Sequence, residues 1–221
     1  MSANPTQSIR RLLKAAEQGD VKAAGQLGWI YFHGSKPAKL RLVRGKAQVI
    51  RDPVQDYRKA VVWLRQAAHK GHIDSMHGLA ICHLTGQGEG IQLWEQGMHW
   101  LREAAKCGVS SAQLHLGRVL QEGLYQQKVD GRQALAWFKK AAQCADRQVA
   151  GNALDRIWQM YYHGQGVRRN YRTARRWITQ ALKLGEEEGA LAAMARMYRQ
   201  GLGVKASRKK ALVWEKRRRD F

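Results

Sequence analysis

Small and apolar residues recur along this chain in two alternating patterns, both with the period of a helix. The first runs Ala23, Leu27, Gly28, Tyr31, Gly34, and it returns as Ser75, Leu79, Ala80, His83, Gly86 and as Ala112, Leu116, Gly117, Leu120, Gly123. Two further copies are Ala153, Ile157, Trp158, Tyr161, Gly164 and Ala190, Met194, Ala195, Tyr198, Gly201. Steps of 4, 1, 3 and 3 place these residues on one face of a helix. The closing Gly falls where a helix needs a left-handed residue to stop. Small residues within the stripe let a neighbouring helix approach closely.

The second pattern is built on tryptophan. It reads Ala60-Val-Val-Trp63 with Ala67-Ala68, Gly97-Met-His-Trp100 with Ala104-Ala105, and Ala134-Leu-Ala-Trp137 with Ala141-Ala142. Ala174-Arg-Arg-Trp177 with Ala181 and Ala211-Leu-Val-Trp214 complete the series. The five tryptophans stand 37, 37, 40 and 37 residues apart, a period that marks stacked like units. Seven residues before four of them are Asp56, Asp130, Asn170 and Ser207, which are favoured N-cap residues; Leu93 breaks the rule. Each unit is thus predicted to be a helical hairpin, with its tryptophan on the packed face. Stacked hairpins bury one continuous core.

The register of AxxxLGxxYxxG, a glycine-bearing loop, an N-cap, AxxW and AA resembles the Sel1-like repeat, a relative of the tetratricopeptide repeat. The resemblance spans about residues 7–219 and implies an all-α fold. That fold is a right-handed superhelical α-solenoid of about five helix-turn-helix repeats, preceded by a single N-terminal helix at 7–18. The expected organisation is one repeat domain over 1–221, with repeats at about 22–71, 72–108, 109–145, 146–185 and 186–219. Sel1-like proteins mostly hold other proteins, and a few are linked to enzyme activity. The paired cysteines of the family's disulfide-rich branch are missing here.

Two irregularities interrupt the period. The step from the closing Gly to the Trp is 13 or 14 residues in four repeats and 29 in the first. The inserted segment, 35–53, carries Lys36, Lys39, Arg41, Arg44, Lys46 and Arg51. Within it, Leu40 to Ile50 either forms a small β-hairpin about Arg44-Gly45 or stays an irregular loop. The join between Ala142 and Ala153 is four residues longer than its counterparts, which points to a local change of stacking angle.

Charge sharpens the functional reading. The chain has 221 residues and a formal net charge of +22. Residues 1–71 contribute +10, residues 72–146 nothing and residues 147–221 +12, so the array is neutral in its middle and basic at both ends. Such a field favours an acidic partner. The densest cluster is Arg168, Arg169, Arg172, Arg175 and Arg176; a second combines Arg208, Lys209 and Lys210 with Lys216, Arg217, Arg218 and Arg219. Glu186, Glu187 and Glu188 are expected at a helix start, where the dipole favours carboxylates. Three cysteines, no apolar run near 20 residues and no leader-like start fit a cytoplasmic protein without a membrane span.

Candidate chemistry is sparse. The eight histidines show no HExxH, and no CxxC accompanies them, so neither a metal nor another cofactor is expected. His33 and His163 precede closing glycines, and His83 takes a packing position. Cys107 and Cys144 are 37 apart at equivalent small-residue positions. No GxSxG phrase supports a hydrolase, which leaves that reading last.

If the first helices line the concave side, as the resemblance implies, two positions face the groove. One holds Trp29, Ile81, Arg118, Gln159 and Arg196; the other holds Phe32, Leu84, Gln121, Tyr162 and Arg199. The series runs from apolar to basic. The predicted partner-binding residues are Trp29, Phe32, Ile81, Leu84, Arg118, Tyr162, Arg196 and Arg199. The predicted basic patch is Arg168, Arg169, Arg172, Arg175, Arg176, Arg217, Arg218 and Arg219. The sequence thus predicts a non-catalytic scaffold for an acidic protein or peptide. The alternative is a nucleic-acid-associated factor using the basic ends.

Overall fold

Each tryptophan phrase and each small-residue stripe is a helix, and consecutive ones pair. The computed structural model describes residues 5–34, 40–43, 46–49, 55–185 and 188–220. Two compact units emerge, Met1–Val109 and Ser110–Phe221. The first contains α1 (Pro5–Glu17), α2 (Val21–His33), α3 (Tyr57–His69), α4 (Ile73–Thr85) and α5 (Trp94–Lys106). The second contains α6 (Ser110–Glu122), α7 (Gly131–Ala141), α8 (Arg147–His163), α9 (Tyr171–Leu184), α10 (Glu188–Gln200) and α11 (Arg208–Arg219). The hairpins are α2–α3, α4–α5, α6–α7, α8–α9 and α10–α11, and α1 packs against α2.

The predicted stop and start signals act as read. Gly34, Gly86, Gly123, Gly164 and Gly201 all have positive φ, between 69° and 77°. Side chains of Asp56, Asp130, Asn170 and Ser207 accept from the backbone N–H of Lys59, Gln133, Thr173 and Lys210. Leu93 makes no side-chain cap bond. Each hairpin is also closed by a bond that the pattern does not reveal. The N–H of the residue at the second helix's N-cap donates to the carbonyl three residues before the closing Gly. The five instances are Asp56 to Tyr31, Leu93 to His83, Asp130 to Leu120, Asn170 to Tyr161 and Ser207 to Tyr198, at 2.8–2.9 Å. Each bond satisfies one of the carbonyls that a helix end leaves orphaned.

The core differs from expectation in one respect. Trp63, Trp100, Trp137, Trp177 and Trp214 are half-buried, whereas the residue after each of the first four is fully buried: Leu64, Leu101, Phe138 and Ile178, all at 0 % exposure. Positions seven and eight of a helix both fall within its apolar arc, and the neighbouring helix decides which goes deeper. That neighbour supplies the notch. A Cβ on Gly28 would stand 2.6 Å from Leu64, and one on Gly117 2.5 Å from Phe138. The indoles stay half-exposed instead, with Lys140 above Trp137 at 4.2 Å and Arg217 above Trp214 at 4.9 Å.

The insertion in the first repeat forms an antiparallel hairpin of β1 (Leu40–Val43) and β2 (Lys46–Val49), in register Leu40 with Val49 and Val43 with Lys46. The rest of the basic segment 35–53, including Arg44 and Gly45, lies outside the described residues. So do Glu186 and Glu187, while Glu188 opens α10. The four additional residues before Ala153 are absorbed as one further turn of α8, which has 17 residues against 13 in α2, α4, α6 and α10.

Candidate interaction pocket

In the second unit, α8, α10 and α11 border an open pocket of about 550 Å³. Trp158 and Tyr162, one turn apart on α8 and 4 % and 7 % exposed, form its floor. Their rings meet edge to face with centroids 5.9 Å apart. The Trp158 Nε1–H donates to Asp155 Oδ1 at 2.7 Å, and the other oxygen of that carboxylate accepts from Gln159 Nε2 at 2.7 Å. The indole is therefore fixed from below. Arg196 and Arg199, one turn apart on α10, line one wall; Arg218 and Arg219, in the last turn of α11, line the other. All four arginines are exposed. Among the described residues Glu215 of α11 is the one carboxylate on the lining, and it is paired with Arg199. An excess of positive charge over an aromatic base fits a carboxylate-bearing ligand, since guanidinium groups grip carboxylates in a planar, two-point manner.

The predicted residues are regrouped by the fold. Tyr162, Arg196 and Arg199 come together with Arg218 and Arg219, which the sequence had assigned to a separate patch. Arg118 does not line this cavity. It stands 4.0 Å from Glu122, which also meets Arg156 at 3.0 Å. Trp29, Phe32 and Ile81 belong to the first unit and are half-buried. There Trp29 meets Phe32 edge to face at 5.4 Å and stacks on His33 at 5.2 Å. Leu84 is corrected: it is completely buried, seated on Gly97 of α5, where a Cβ would stand 2.6 Å from it. No partner can touch it. Trp158 and Glu215 escaped the groove reading. Glu215 had a signal, a charge in the slot after the tryptophan that is apolar in the other four repeats.

Arg168, Arg169, Arg172 and Arg176 are exposed at the start of α9, and Arg175 is half-buried. Arg168, Arg169 and Arg172 share a second depression, of about 500 Å³, with Tyr161 and Tyr171. Arg169 lies over the Tyr171 ring at 5.4 Å. Arg217 stacks on Trp214 and faces neither depression.

His72, His83 and Cys82 take structural positions. His72 caps α4 by accepting from Ser75 N–H. His83 is 2 % exposed, and burial pulls its pKa below the ordinary value, opposed by Glu89, whose carboxylate stands 3.6 Å away. Burial pushes the Cys82 thiol up to about 12, so it stays protonated near neutrality. Among the described residues no group of three or more His, Cys, Asp or Glu is placed to hold a metal ion. Nor is any helix among them long and apolar enough to cross a membrane.

Comparison with known proteins agrees with the repeat reading. The model of the family described as Sel1 repeat matches residues 1–20, 21–40, 44–72, 73–109, 110–146, 153–186 and 189–214. A protective antigen present in uropathogenic Escherichia coli strains, which displays an SLR fold, is similar at 27% identity and a TM-score of 0.80. That likeness covers 100% of this chain but only 42% of the antigen, so this chain spans less than half of the antigen's length. A Sel1 repeat protein from Oxalobacter formigenes is similar in fold at 21% identity and a TM-score of 0.76, over 97% of this chain and 79% of that one. No curated protein matches. Sel1 repeats typically serve as scaffolds for protein–protein interaction. With the family's pattern matched along nearly the whole chain, this protein belongs to the Sel1 repeat family.

Proposed function

We propose that this chain is a non-catalytic scaffold that takes an acidic protein or peptide in the pocket between α8, α10 and α11. The observation that carries the reading is the convergence of Arg196, Arg199, Arg218 and Arg219 above the Trp158–Tyr162 floor. Carboxylates of the partner pair with the arginines, and an apolar side chain covers the aromatic floor. The surplus of basic charge around the pocket speeds encounter with an acidic chain. In the first unit, Trp29, Phe32 and Ile81 offer a separate apolar contact. The test is fluorescence anisotropy with a labelled Glu-Glu-Trp-Glu-Glu peptide, against a Gln-Gln-Trp-Gln-Gln control. Arg196→Glu with Arg199→Glu is expected to weaken binding of the acidic peptide by about tenfold or more. Equal affinity in the variant rejects the pocket.

A second reading rests on the α9 cluster, where Arg168, Arg169 and Arg172 surround a depression beside two tyrosines. Such a surface suits a nucleic-acid backbone. It predicts that a labelled single-stranded oligonucleotide binds with an affinity that falls steeply with salt, and that Arg168→Glu with Arg172→Glu abolishes the complex. Absence of binding at low salt removes this reading.

A further inference from the structure

We infer that Glu215 is an internal stand-in for a partner carboxylate: the pocket takes a segment of which one carboxylate replaces Glu215 on Arg199. The inference rests on the pocket reading above and specifies what the pocket recognises and how it is guarded.

The first observation is one of register. The position after each tryptophan holds Leu64, Leu101, Phe138 and Ile178, all fully buried, and in the fifth repeat it holds Glu215. A carboxylate thus occupies a slot that is interior everywhere else in the array. It meets Arg199 of α10, and its side chain is 24% exposed. The second observation is what it does there. Glu215 is paired with Arg199, whose own side chain is 65% exposed, so the guanidinium is reachable from outside while its charge is already met from within. The third is that Glu215 meets Arg199 on a lining where Arg196, Arg218 and Arg219 have no carboxylate partner among the described ion pairs.

A planar acid at hydrogen-bonding distance from one guanidinium shows that this subsite accepts a carboxylate. An acidic segment approaching from solvent meets three guanidinium groups first and then competes with Glu215 for the fourth. An intramolecular pair of this exposure is weak enough to exchange. The displaced Glu215 keeps its charge and turns to water or to Arg218, three positions further along α11. A ligand too poor in carboxylates to replace it leaves Arg199 occupied, so Glu215 raises the threshold for binding.

The test is the affinity of the labelled Glu-Glu-Trp-Glu-Glu peptide for the full chain and five variants. Glu215→Gln keeps the shape and removes the competitor, so binding is expected to tighten about threefold or more. Glu103→Gln makes the same change of net charge far along the sequence, on α5, and is expected to leave affinity unchanged. Arg199→Gln weakens binding, and adding Glu215→Gln to it yields no gain, because the two residues act as one pair. A Glu215→Gln affinity equal to or below that of the parent chain overturns the inference. So does a gain that persists without Arg199 or is matched by Glu103→Gln. If the parent chain binds no better than Arg196→Glu with Arg199→Glu, the pocket reading itself fails and takes the inference with it.

Discussion

Phe138 of α7 lies against Gly117 of α6 with no room for a Cβ between them: a methyl placed on the glycine would stand 2.5 Å from the ring. The same relation joins Leu64 to Gly28 across α3 and α2. In these two hairpins a large side chain is therefore seated in a backbone notch, beside a half-buried tryptophan.

Gly117→Ala is expected to lower stability by about 1–3 kcal/mol through overpacking. Combining it with Phe138→Leu, which takes the ring out of the notch, is expected to cost less than the two single changes together. Urea denaturation followed by circular dichroism measures both. Additive losses would mean that the two residues are not coupled.

Helix capping gives a second expectation. Asp130→Ala removes the acceptor for Gln133 N–H at the start of α7 and is expected to cost about 1 kcal/mol. At Leu93 there is no side-chain bond to lose, so Leu93→Ala tests packing alone. The corresponding Asp56 has its carboxyl held below the ordinary 3.8, first by the Lys59 backbone N–H. Its contribution is present above pH 3.8 and is lost as the pH falls through its folded value. An acid titration of Asp56→Asn beside the parent chain should show this loss only in the parent.

His115 on α6 titrates with the opposite chemistry. Burial, and next the charge of Arg118, push its pKa from 6.5 down to about 4. The unfolded chain then binds a proton that the folded chain refuses. Stability is full above pH 6.5 and declines as the pH drops from 6.5 toward 4. His115→Gln should flatten that part of the pH profile; an unchanged slope between the two values would contradict the assignment.

Much of the architecture was readable in the residues, because caps, closing glycines and a fixed period are local signals. Asp56, Asp130, Asn170 and Ser207 cap as read, and the five glycines close their helices in the left-handed region. Depth was less readable. A helical period assigns a face but does not separate Trp137 from Phe138, one residue apart; Gly117 on the facing helix does. Leu84 fell in a groove series by spacing, yet Gly97 opens a space that buries it. The pocket was half-seen for a related reason. Arg196 and Arg199 share a helix, while Arg218 and Arg219 reach them only through the α10–α11 hairpin, and Trp158 looked like plain core. Glu215 was visible as an exception to the repeat, but its meaning depends on Arg199 standing opposite.

The most direct test of the account is a titration of the chain, labelled with nitrogen-15 in its arginine side chains, with the Glu-Glu-Trp-Glu-Glu peptide. Signals are assigned by single Arg→Lys replacement. The account predicts that the Nε–H resonances of Arg196, Arg199, Arg218 and Arg219 move together and saturate, while those of Arg168, Arg169 and Arg172 stay in place. Movement confined to the α9 arginines, or spread evenly over all of them, would contradict it.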